Sequence, residues 1–148
     1  RSRHTRFRNV TGVQTCALSS WINHWHNYLI DSIPVIAESI GISLSHYQGT
    51  AWWVDQPGFT CPIHTDGEMP GALQMYWIAE NQNLGTTFYN YKNPKTVRFQ
   101  FPSTPNVGYI MINSQHNNCY RHLQWHGMLN QVPSNSFRLC SYTWLQEI

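Results

Sequence analysis

The stretch Phe59-Thr60-Cys61-Pro62-Ile63-His64-Thr65-Asp66 decides how the chain is read. A short, largely apolar run ends in a histidine and, two residues later, an aspartate. On extended backbone, residues i and i+2 project to the same side, so this imidazole and this carboxylate can reach one ion. A Gly-rich stretch, residues 67–71, then breaks the run. Outward from it, after Gly41, runs rich in aromatic and β-branched residues alternate with Gly, Pro and Asn clusters. They predict strands over residues 43–54, 59–64, 72–79, 86–91, 96–101, 107–113, 123–129 and 136–145. Eight short strands with regular turn spacing predict a mainly β fold, a double-sheet jelly roll or barrel in place of a βαβ sheet. Ahead of them, residues 20–40 read as a helix. Trp21, Trp25, Tyr28, Leu29, Ile33, Ile36 and Ile40 recur there at steps of three and four. Pro34 is expected to kink or split this helix, and Gly41 to stop it.

The composition narrows the class. With 148 residues the chain is one domain with a real core. Seven Trp, eight Tyr and six Phe against 11% charged residues suit large side chains filling a β interior, not disorder. No apolar run is long enough to span a bilayer, and there is no pattern of a secretory signal peptide. No membrane partner and a cytoplasmic location are therefore expected. Cys16, Cys61, Cys119 and Cys140 show no CxxC spacing, which speaks against a disulfide framework or a zinc knuckle.

Four of the nine basic residues, Arg1, Arg3, Arg6 and Arg8, crowd the start. Such a head could be a nucleic-acid arm. However, the stretch from Val10 to Leu18 resembles translated sequencing-adapter read-through, and segments of that kind are kept out of fold reasoning. Residues 1–18 are accordingly expected to be a non-native leader, and residues 19–148 a single core domain, truncated at its N-terminus. Without the leader the net charge of +2 loses four and becomes −2. No nucleic-acid partner is then expected.

A third ligand candidate is His126, in Gln124-Trp125-His126-Gly127, and Arg138 opens the strand-like run that follows. Two imidazoles and one carboxylate suit Fe(II) and leave open positions for a bidentate co-substrate and O₂. His116 and His122 compete as the distal histidine, and Glu68 competes as a carboxylate ligand. His116 reads as a loop residue. His122, four residues before His126, precedes the strand.

The series His64-Thr65-Asp66, Trp125-His126-Gly127 and Phe137-Arg138-Leu139-Cys140-Ser141 resembles the iron(II)- and 2-oxoglutarate-dependent oxygenase superfamily. The resemblance runs from about Ser43 to Trp144. It implies a double-stranded β-helix, the cupin-like jelly roll, here with an N-terminal helix. It also implies that His64, Asp66 and His126 hold Fe(II). Arg138 would then pair with the distal carboxylate of 2-oxoglutarate, for which a planar fork is the right chemistry. Many members carry a hydroxyl two positions after this basic residue. Here Cys140 stands there, Ser141 would face the other side, and Tyr76 is a candidate to supply the hydroxyl instead. The activity implied is hydroxylation of a small-molecule or peptidyl substrate by O₂, coupled to decarboxylation of 2-oxoglutarate to succinate. An aspartate at position 66, where Gly or Ala would open a halide position, favours hydroxylation over halogenation.

Blander readings stand beside this one. Trp52, Trp53, Trp77 and Trp144 read as core and wall residues. Cys61 and Cys140 read as small buried hydrophobes. His24 and His26 read as exposed helix residues. The rival functions are a non-catalytic jelly-roll binding or phage structural module, and a cupin metalloenzyme that does not use 2-oxoglutarate.

Overall fold

The structure, a computed structural model, describes residues 4–6, 15–39, 41, 44–67, 70–79, 81–90, 92–112 and 124–147, with backbone alone for 4–6, 15–19, 44–48 and 147. Glu68, His116 and His122 lie outside the described residues. The elements follow in order: β1 (His4–Arg6), α1 (Thr15–Ser39), β2 (Leu44–Asp55), β3 (Gly71–Ala79), a short 3₁₀ turn (Gln82–Leu84), β4 (Thr86–Tyr89), β5 (Val97–Phe101), β6 (Val107–Ile112), β7 (His126–Gly127) and β8 (Arg138–Glu147). No helix among the described residues is long and apolar enough to cross a membrane.

One antiparallel sheet has the order β1-β2-β8-β3-β6, and a second has β5-β4-β7. The expected strand over 59–64 forms the missing edge of the second sheet. His64 and His126 exchange both backbone hydrogen bonds, 2.8 and 2.9 Å, Met128 N–H donates to Cys61 O at 2.9 Å, and Val132 N–H donates to Phe59 O at 3.0 Å. In chain order the path therefore alternates between sheets: β2 in the first, 58–64 in the second, β3 in the first, β4 and β5 in the second, β6 in the first, β7 in the second, β8 in the first. That alternation is the double-stranded β-helix, or cupin-like jelly roll. β7 is shorter than the expected 123–129, because Met128 bonds with Cys61 while Leu129 and Asn130 turn out into solvent.

The first sheet is covered on both faces, which explains why its strands do not alternate apolar with polar. On β3, Leu73 and Met75 face α1, where Leu29, Ile33 and Ala37 form a stripe at steps of four, closed by Leu145, Ile110 and Ile112. Trp52 and Trp77 join Trp21 and Trp25 of the helix in an indole cluster with centroids 4.9 to 5.5 Å apart. Trp77 Nε1 donates to Ser141 Oγ at 2.9 Å, which fixes Ser141 on the helix side of β8 as expected. α1 starts at Thr15 rather than at residue 20, and Pro34 does not split it. The missing N–H of Pro34 costs one helical hydrogen bond, but Ile33 and Ala37, on either side of it, are clamped against the sheet. Gly41 adopts φ +73° and its N–H donates to Glu38 O at 3.0 Å, a left-handed helix stop.

By the period-two rule the opposite face of β8 carries Arg138, Cys140, Tyr142 and Trp144 into the space between the sheets. Trp53 and Asp55 of β2 and Gln74 of β3 reach the same space. Ala72, Met111 and Phe88 close its far side.

Candidate metal centre

His64 and His126 are direct cross-strand neighbours, so their side chains leave the second sheet on one face. Their ring centroids are 4.4 Å apart. Asp66, two residues beyond His64, returns to that face. Its Oδ1 lies 3.4 Å from His64 Nε2, and its Oδ2 lies 3.5 Å from His126 Nε2. The three ligand atoms all lie within 4.8 Å of one another.

The tautomers fit a cation. His64 Nδ1 is 2.8 Å from Pro62 O, and His126 Nδ1 is 2.9 Å from Gln124 O. A carbonyl can only accept, so each Nδ1 carries its proton, and each ring, once its Nε2 is deprotonated, turns that lone pair inward. Asp66 is held by the Tyr142 hydroxyl, which donates to Oδ2. Two imidazole nitrogens and a carboxylate, all on one side and all oriented from behind, match the donor set that suits Fe(II).

Register depends on Gly127. A Cβ there would meet the backbone oxygens of Cys61 and Pro62 at 2.9 Å. Gly127→Ala is expected to push residues 61–64 off β7, costing about 1–3 kcal/mol of stability and weakening metal binding. Urea unfolding and a Co(II) titration check both. Metal affinity equal to wild type would show that the histidines do not depend on this close approach.

Electrostatics in the metal-free cluster favour one shared proton. The Asp66 hydrogen bond, aided by Cys61, outweighs burial and pushes His64 up to about 10. Burial raises the Asp66 carboxyl, but His64, the His126 charge and Tyr142 together hold it below its usual value. Burial lowers His126 against the pull of Asp66. The stability from the His64–Asp66 pair is therefore fully present below the ordinary imidazole value of 6.5 and is lost as pH rises towards about 10. A metal must displace the His64 proton in the same window. Co(II) affinity is expected to rise about tenfold per pH unit between pH 6.5 and 8, with one proton released; a flat profile would rule out the shared proton.

The triad opens into a cavity of ≈ 260 Å³, where Arg138, Gln74, Thr86 and Cys140 form a polar wall and Trp53, Phe59, Met128 and Trp144 an apolar one. Of the four tryptophans expected as core and wall residues, Trp53 and Trp144 thus stand in the cavity wall. Arg138 is 4% exposed and faces it, but not alone. Its Nε lies 2.7 Å and its Nη2 2.5 Å from Asp55 Oδ2, and Nη1 donates to Leu84 O. The register makes this pair, for Asp55 stands directly opposite Arg138 across β2 and β8. Burial pushes the Cys140 thiol up to about 12, so it is uncharged near neutrality.

Tyr76 does not line the cavity. It is fully buried behind the wall, its ring 5.4 Å beneath the Arg138 guanidinium and its hydroxyl 2.6 Å from Thr86 Oγ1. Thr86, which the sequence reading passed over, is a hydroxyl residue that does line the cavity, on the wall that holds Arg138 and Gln74. Tyr109 OH sits 2.8 Å from it and 2.7 Å from Gln74 Oε1. Asp55 and Tyr142 were also passed over. Asp55 did leave a signal: it is one of three aspartates and ends a strand, where a buried arginine needs a partner.

No family model matches the chain, and no curated protein matches it. Among solved structures, the crystal structure of a cupin domain (bp2299) from Bordetella pertussis Tohama I is similar at 10% identity, over 68% of this chain and 90% of that chain, with a TM-score of 0.41. The fold described above rests on strand order and register alone.

Proposed function

We propose that this jelly-roll domain is a non-haem Fe(II)- and 2-oxoglutarate-dependent dioxygenase, a hydroxylase of a small-molecule or peptidyl substrate. The observation that carries the reading is that His64, Asp66, His126 and Arg138 all line one cavity. His64, Asp66 and His126 would hold the metal. When bound, Fe(II) supplies chelation of the 2-oxo acid and activation of O₂.

The chain's own residues do the rest. Pro62 O and Gln124 O hold the two imidazoles in their metal-binding tautomer. Tyr142 occupies one lone pair of Asp66 Oδ2 and fixes the carboxylate's orientation. Arg138 offers the remaining face of its fork to a carboxylate, with Thr86 Oγ1 and the Gln74 side chain beside it. Trp53, Phe59 and Trp144 exclude water from the space between.

Anaerobic addition of Fe(II) and 2-oxoglutarate tests the reading. A visible charge-transfer band, followed by succinate formation on admitting O₂, is the expected result. A second reading is favoured by one observation, the bond between Arg138 and Asp55. In that reading the chain is a cupin metalloenzyme that does not use 2-oxoglutarate. Tight metal binding with no band and no succinate would select it.

A further inference from the structure

Arg138 already holds a carboxylate. Asp55 is 1% exposed and its Oδ2 meets both Nε and Nη2 of the guanidinium. Leu84 O takes a further donor from Nη1. Of the five N–H groups of an arginine, at least three are thus used inside the fold. Apart from the triad, Asp55 and Arg138 are the only charged residues lining the cavity among the described residues. With both present this end of the cavity is electrically neutral. With Asp55 uncharged it would hold a buried cation without a counter-ion, which strongly attracts an anion.

We propose that Asp55 is an internal competitor for Arg138 that determines which anions the cavity admits. A ligand relying on its carboxylate alone must displace or share with Asp55, and is kept out. A 2-oxo acid with a second attachment at the triad is admitted, because chelation offsets what the occupied arginine withholds. Asp55 is thus a specificity-determining residue that selects chelating 2-oxo acids over plain dicarboxylates. This rests on Arg138 serving as the carboxylate anchor of the function proposed above.

The probe is glutarate, which has the two carboxylates of 2-oxoglutarate and no 2-oxo group. It is titrated calorimetrically into metal-free protein, so that no metal chemistry enters. Asp55→Asn keeps the shape and removes the charge. It is expected to bind glutarate about tenfold or more tightly than wild type does. The gain should vanish in Asp55→Asn/Arg138→Gln. Equal or weaker binding by folded Asp55→Asn overturns the proposal. If Asp55→Asn does not fold by itself, it is refolded with formate, which is small enough to stand in for the lost carboxylate. Recovery supports the proposal, and failure to recover overturns it. Failure of the proposed function shows separately, as an absent Fe(II)–2-oxoglutarate band. If that band is absent while the glutarate result holds, Asp55 excludes dicarboxylates altogether.

Discussion

Asp66→Ala is expected to lose more than about 100-fold in Fe(II) affinity and all turnover of 2-oxoglutarate to succinate. The magnitude follows from what remains. Loss of a residue that merely orients a ligand typically costs 10–100-fold, and Asp66 is the only anionic member of the cluster. Two neutral imidazoles alone would have to hold a divalent ion with no charge to offset it. The variant also frees Tyr142 from its acceptor and leaves His64 without its strongest partner. His64 should therefore titrate much closer to 6.5, and the pH dependence of metal binding should flatten near neutrality. Competition against a fluorescent chelator gives the affinity, and succinate formation gives the turnover. A variant that kept both would remove Asp66 from the metal site and leave the cavity without a carboxylate ligand from the described residues other than Asp55.

The convergence of His64, Asp66 and His126 was legible because each depends on local geometry. Residues i and i+2 on extended backbone share a side, and the strand order brings the later histidine back over the same end. Their immediate supports follow from the same local rules, since Pro62 and Gln124 are each two residues before the histidine they orient. What stayed hidden depends on register between distant strands. Asp55 meets Arg138 across a separation of 83 residues, and shifting β2 by one residue against β8 would put Trp53 and Asp55 on the helix side instead. The same register decides that Trp53 and Trp144 face the cavity while Trp52 and Trp77 face α1. Tyr76 stays out of the cavity for a related reason. Its parity is correct, but it lies deeper than Thr86, which stands between its hydroxyl and the open space. Of the kink or split expected at Pro34, the split does not occur, because Ile33 and Ala37 are held against the sheet on either side of it.

Breaking the Asp55–Arg138 pair from one side is expected to have the largest effect on stability. Arg138→Met leaves the Asp55 carboxylate buried with two N–H donors gone, and removing one partner of such a pair costs about 3–5 kcal/mol. For a chain of this length each kcal/mol moves Tm by about 2–4 °C, so the expected drop is about 6–20 °C. Asp55→Val should fall similarly, because it strands the guanidinium 4% exposed. The double variant Asp55→Val/Arg138→Met removes both charges and is expected to recover most of the loss, since buried ion pairs rarely outperform apolar replacements of similar volume. Urea unfolding of the metal-free proteins, followed by tryptophan fluorescence, measures all three. Losses that simply add in the double variant would mean that the two residues act independently and that the short contacts contribute little. Recovery would mean that the fold can do without the pair. A charge pair that the fold can do without, set in the cavity wall beside His64, Asp66 and His126, would find its use in recognising what enters the cavity, which is the role the glutarate titration isolates.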